Sequence, residues 1–189
     1  MPTLLRKVNF MKIVHAFCVA ALCAAGAAFA EEQRRLSAHE HGHGHLNVAI
    51  EAKRVSMELE VPGADILGFE HAPSNAEERA AVDDAKAKLA SASSLFKLPP
   101  DAGCGLDGAR VSAGDHDETA SAAEENHSEF RAEYDLECRA VGKLTVVEFA
   151  YFSVFPGTEE LEVNVISPKG QSTYKVTRDK PILDLAGII

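Results

Sequence analysis

Residues 46–61 read LNVAIEAKRVSMELEV, and this stretch decides the fold. Leu46, Val48 and Ile50 alternate with Asn47, Ala49 and Glu51. After Ala52-Lys53-Arg54, which reads as a turn, Val55, Met57, Leu59 and Val61 alternate with Ser56, Glu58 and Glu60. Side chains on a strand point to opposite faces with a period of two, so the pattern predicts a hairpin with one buried and one wet face.

Downstream, Pro62-Gly63 ends the second strand, and Ser74-Asn75-Ala76-Glu77 fits a capping box with Ser74 as N-cap and Glu77 reaching back. The predicted helix runs to about Ser91, with Val82, Ala85, Leu89 and Ala92 as its apolar stripe, and Pro99-Pro100 blocks continuation. Residues 112–129 are rich in Ala, Ser, Gly and acid. They hold too little apolar surface to offset ordering entropy, and are expected to form a mobile acidic loop between two strands. Phe130 to Cys138 alternates again, the apolar run Leu144 to Phe155 reads as a central strand, and Leu161, Val163 and Val165 mark another. Pro168-Lys169-Gly170 looks like a hairpin turn leading to Tyr174 and Val176, and Ile182 to Leu185 like a last short strand. The expected class is mainly β with one helix (α+β): an antiparallel sheet or sandwich carrying one packed α-helix and one disulfide.

Upstream, Arg6, Lys7 and Lys12 precede an apolar run from Ile13 to Ala28, and Ala28-Phe29-Ala30 is a small-x-small cleavage signature. Residues 1–30 therefore read as a secretory signal peptide. A run of about 16 residues is short for a bilayer span of about 20, although a membrane anchor is the rival reading. The chain has 189 residues, so cleavage would leave 159, enough for one domain, residues 46–189, behind a His-rich segment at 31–45. The leader holds three of the 19 basic residues and none of the 29 acidic ones, so the remainder carries a net charge of −13. Such a surface repels phosphate backbones and makes a nucleic-acid partner unexpected. No membrane insertion is expected after cleavage.

Cys104 and Cys138 survive cleavage. In an oxidising compartment a lone pair usually forms a disulfide. The alternative is a pair of thiolate ligands, but the close spacing of thiolate zinc sites is missing.

The chemistry concentrates in His39-Glu40-His41-Gly42-His43-Gly44-His45. Residues i and i+2 of an extended chain share a face about 6.6–6.8 Å apart, so neighbouring imidazoles can tilt toward one ion. Such a tract can also bind metal only adventitiously. Imidazole suits zinc, copper and nickel alike, and no methionine cluster marks a cuprous carrier. Register places His45 opposite Leu46, Val48 and Ile50, on the polar face. His71 is a further candidate, with Glu70 as ligand or ring-orienting acceptor. His116, in Asp115-His116-Asp117-Glu118, and His127, beside the strand at Phe130, are the remaining candidates. No His-Glu-x-x-His helix, Gly-x-Ser-x-Gly elbow or phosphate-binding glycine loop is present, so no enzyme is expected.

The run His39 to Ile50, the block Pro62 to Pro73 containing Gly68-Phe69-Glu70-His71-Ala72-Pro73, Tyr134-Asp135-Leu136-Glu137-Cys138, and Phe152 to Gly157 resemble the ZrgA-type periplasmic zinc-uptake proteins. The resemblance implies a periplasmic protein that captures zinc in support of an inner-membrane importer. Family members often carry a long His/Asp-rich insertion before the Tyr-x-x-x-Cys strand. Here it is reduced to the patches around His116 and His127, which argues against a high-capacity store. Two other classes compete: a metal-dependent envelope hydrolase, and a β-rich interaction module with incidental metal binding.

Overall fold

The computed structural model describes residues 41–114 and 128–189, all within one compact unit. Among the described residues, two sheets and four α-helices make up the fold. The hairpin is β1 (His43–Glu51) and β2 (Arg54–Pro62), joined by a two-residue turn in which Ala52 takes a φ of +52°. Short α1 (Gly63–Leu67) follows at once, then α2 (Ala76–Leu89) and α3 (Ala92–Leu95). The rest is mostly strand: β3 (Phe96–Lys97), β4 (Cys104–Ala113), β5 (Glu129–Cys138) and β6 (Val146–Phe149). Short α4 (Tyr151–Val154) precedes β7 (Glu160–Ser167), β8 (Gly170–Thr177) and β9 (Ile182–Asp184).

The large sheet has the order β4-β5-β2-β1-β7-β8, and the small one β3-β6-β9. Every pairing is antiparallel except β1 with β7, which is parallel. The sheet is thus largely antiparallel, as expected from sequence, with one parallel pair. A parallel partner needs a long crossover, and here α1 to α4 and two strands of the small sheet, β3 and β6, fall within it.

Alternation does what the sequence predicted. Leu46, Val48, Ile50, Val55, Leu59, Phe130, Tyr134, Leu161 and Val165 are buried on one face of the large sheet. Leu89, Leu95, Phe96, Phe149, Tyr151, Phe152 and Leu183 bury with them in a single cluster. The Tyr134 hydroxyl donates to the Leu89 carbonyl at 2.8 Å, fastening the end of α2 to β5.

Three local expectations need correcting. The packed helix is one of four, α2 being the long one. Its cap lies one residue later than expected: Asn75 accepts from the Glu78 N–H, and the Ser74 N–H and hydroxyl donate to Glu78 Oε2 at 2.7 and 2.9 Å. Those bonds stabilise the charged form and hold the Glu78 carboxyl below its ordinary range. Of the run Leu144 to Phe155, only Val146–Phe149 is a central strand, in the small sheet; Tyr151–Val154 is helical, and a short apolar-rich run does not by its period separate strand from helix.

The acidic segment is also narrower than its composition indicated. Ser112 pairs with Arg131 and Ala113 with Phe130, so both ends of 112–129 are strand, while 115–127 lies outside the described residues. Cys104 pairs directly with Cys138, and the two form a disulfide.

Candidate metal-binding face

Two glycines bring the histidine tract onto the sheet. Gly42 has a φ of +83°, a left-handed conformation that side chains resist. Its N–H donates to Asp65 Oδ1 at 2.8 Å, and its carbonyl accepts from the Glu159 and Glu160 N–H groups at 2.7 and 2.9 Å. Gly44 faces inward, where an added Cβ would lie 2.5 Å from Val61 and 2.8 Å from Leu161. With glycine at both inward positions, His41, His43 and His45 all face outward.

The parallel pairing sets a carboxylate beside each histidine of β1. His43 stands opposite Glu160 and His45 opposite Glu162. His43 Nδ1 lies 3.7 Å from Glu160 Oε1, and His45 Nδ1 3.8 Å from Glu162 Oε1. In the preceding turn, His41 Nδ1 lies 3.4 Å from Glu70 Oε1. The result is three imidazole–carboxylate pairs in a row that follows β1 on the polar face. Their separations exceed those of a good hydrogen bond. Among the described residues, no three His, Cys, Asp or Glu side chains already converge as a ligand set.

The sequence model of the ZrgA family zinc uptake proteins matches residues 38–185, from just before His41 to Leu185. The chain belongs to the ZrgA family of zinc uptake proteins. No curated protein sequence matches it.

In this ZrgA-family chain His71 makes its contacts apart from the three pairs. His71 stacks on Phe69 at 4.8 Å, and its Nδ1 lies 3.0 Å from the Ala72 carbonyl and 3.9 Å from Glu78. Glu70, the candidate ligand or ring-orienting acceptor beside His71, faces His41. His39, His116 and His127 lie outside the described residues. Sequence reasoning missed Glu160 and Glu162, although Glu160-Leu161-Glu162-Val163 alternates and so announces two carboxylates on a wet face.

It also passed over the place of Asp65. This side chain is buried, and Oδ2 has no hydrogen-bond partner among the described residues. Burial holds its carboxyl above the ordinary range, against the opposing pull of the Gly42 N–H and of His41 and His43. A buried carboxylate therefore lies beneath the first two histidines. Two surface hollows, of about 440 Å³ beside Lys53, Glu137 and Arg139 and about 210 Å³ beside Met57, Phe96 and Leu106, have no histidine in their walls.

Proposed function

We propose that this protein captures zinc in the periplasm through the histidine row and supports its delivery to an inner-membrane importer. The observation that carries the reading is the in-register pairing of His43 with Glu160 and His45 with Glu162, continued by His41 with Glu70. Zinc is bound tetrahedrally by imidazole nitrogen at about 2.0–2.1 Å and carboxylate oxygen at about 2.0–2.2 Å. Two imidazoles on one strand and two carboxylates on the next supply four such donors. Small side-chain rotations about a fixed backbone bring them to one ion.

The row is also open. His41, His43 and His45 are 68%, 43% and 50% exposed, so a partner protein can reach a bound ion and exchange ligands with it. That suits delivery better than storage. Neither of the two hollows among the described residues has a histidine in its wall, so neither supports the hydrolase reading.

Zinc titration against a chromophoric chelator tests the proposal. His43→Ala/His45→Ala and Glu160→Gln/Glu162→Gln are each expected to weaken binding about tenfold or more, as loss of ligands does. Binding is also expected to fall on acidification, as the imidazoles take up protons. Unchanged affinity in both variants overturns the site. Unchanged growth in zinc-poor medium after removal of the protein overturns the uptake role.

A further inference from the structure

Arg131 on β5 stands directly opposite Glu60, which in turn stands opposite His45. Its guanidinium gathers three carboxylates. Nη1 lies 3.2 Å from Glu58 Oε1, Nη2 bonds Glu60 Oε1, and Nη2 lies 3.9 Å from Glu129 Oε1. The group is partly sheltered: Arg131 is 30%, Glu60 28% and Glu129 16% exposed, while Glu58, at 38%, is open to solvent. One row of side chains therefore crosses the whole sheet as Ser112, Arg131, Glu60, His45, Glu162 and Lys175.

The geometry points to Arg131 as a specificity-determining residue: a built-in cation that occupies the all-oxygen corner of this face and keeps hard divalent ions, calcium above all, from binding there. Its purpose rests on the zinc-capture reading, but its geometry does not. Three carboxylates aimed at one place offer six oxygens, the lower end of what calcium takes. Zinc differs in accepting imidazole nitrogen, so a face that neutralises its carboxylate corner and leaves its imidazole edge open discriminates by ligand type.

Magnitudes favour the arrangement. A guanidinium stays charged at any working pH and forks across carboxylate oxygens. As a tethered group it competes at an effective concentration on the order of millimolar or more. Extracellular calcium modules bind in the range of about 10⁻⁴–10⁻³ M, so a tethered cation is a match for them. Arg131 also engages Glu60, which leaves Glu162 as the carboxylate nearest His45.

Calorimetric titration of the signal-free chain with calcium and, separately, zinc tests this. The wild type is expected to take up no calcium at this face at concentrations on the order of 1 mM. Arg131→Gln is expected to gain calcium binding with a dissociation constant on the order of 10⁻⁴–10⁻³ M. Arg131→Lys, which keeps the charge, is expected to exclude calcium about tenfold better than the glutamine variant. A folded Arg131→Gln chain that binds calcium no better than the wild type overturns the proposal, as does calcium binding by the wild type at that level. If Arg131→Gln unfolds in metal-free buffer, calcium but not sodium at equal ionic strength is expected to restore the fold. Absence of calcium-specific recovery overturns the proposal too. A wild type that fails to bind zinc, beside an Arg131→Gln chain that gains calcium, overturns the zinc-capture reading and upholds this one.

Discussion

The Gly42 N–H donates to the Asp65 carboxylate at 2.8 Å, joining the entrance of β1 to α1. On the other side of the same residue, the carbonyl holds the start of β7. One glycine between two histidines thus fixes where both rings begin.

Asp65→Asn keeps the acceptor for Gly42 and replaces the unpartnered oxygen. Burial raises the native carboxyl above its ordinary value of 3.8, so the folded chain holds a proton over a range where the unfolded chain has lost it. The stability contributed by the protonated form is present at low pH and lost as the pH rises through the raised native value. At neutral pH the wild type therefore bears the full burden of a buried charge. Metal-free Asp65→Asn is expected to be at least as stable as the wild type at neutral pH, with its advantage shrinking as the pH falls toward 3.8. Asp65→Ala, which abandons the Gly42 N–H, is expected to lose about 1–2 kcal/mol. Urea unfolding across a pH series measures both.

Gly42→Ala places a side chain at a φ of +83°. The strain is expected to cost about 1–2 kcal/mol. Relief by backbone rotation would turn His41 and His43 away from Glu70 and Glu160, so zinc affinity is expected to fall with stability. Paired urea and zinc titrations read the two effects.

Tyr134→Phe removes the buried hydroxyl that meets the Leu89 carbonyl and leaves the ring. The expected loss is about 1–2 kcal/mol from the stranded acceptor. Leu89 is far along the chain from the histidine row and on the other face of the sheet, so zinc affinity is expected to stay unchanged in the same titration.

The disulfide joins residues 34 apart in sequence. Closing such a loop contributes roughly 2–4 kcal/mol. Because β4 and β5 also pair along their length, Cys104→Ala/Cys138→Ala is expected to fold, with a lower denaturation midpoint and unchanged zinc binding.

Much of this architecture was legible because it is local. The alternation from Leu46 to Val61 gave the hairpin, and the same rule put His45 on the wet face, where it is found half exposed. The blocks around Glu70 and Tyr134 gave the family. The helical turn at Tyr151–Val154 was hidden because its neighbours are apolar on every side. The carboxylate half of the row was hidden for a different reason. Glu160 and Glu162 meet His43 and His45 through a parallel pairing, and nothing in either segment names its partner. Arg131 was equally silent: its role arises from Glu58 and Glu60 on a strand far away in sequence.

The parallel pairing of β1 with β7 has a consequence in time. Paired positions on the two strands are 117 residues apart, as Asn47 and Asn164 are. A chain made from its N-terminus presents its histidines early and the facing glutamates only near the end of synthesis. An unfinished chain therefore owns only one half of the row. If the row captures zinc as proposed, loading waits for completion, and a molecule that holds its ion firmly is one whose last long hairpin has already closed.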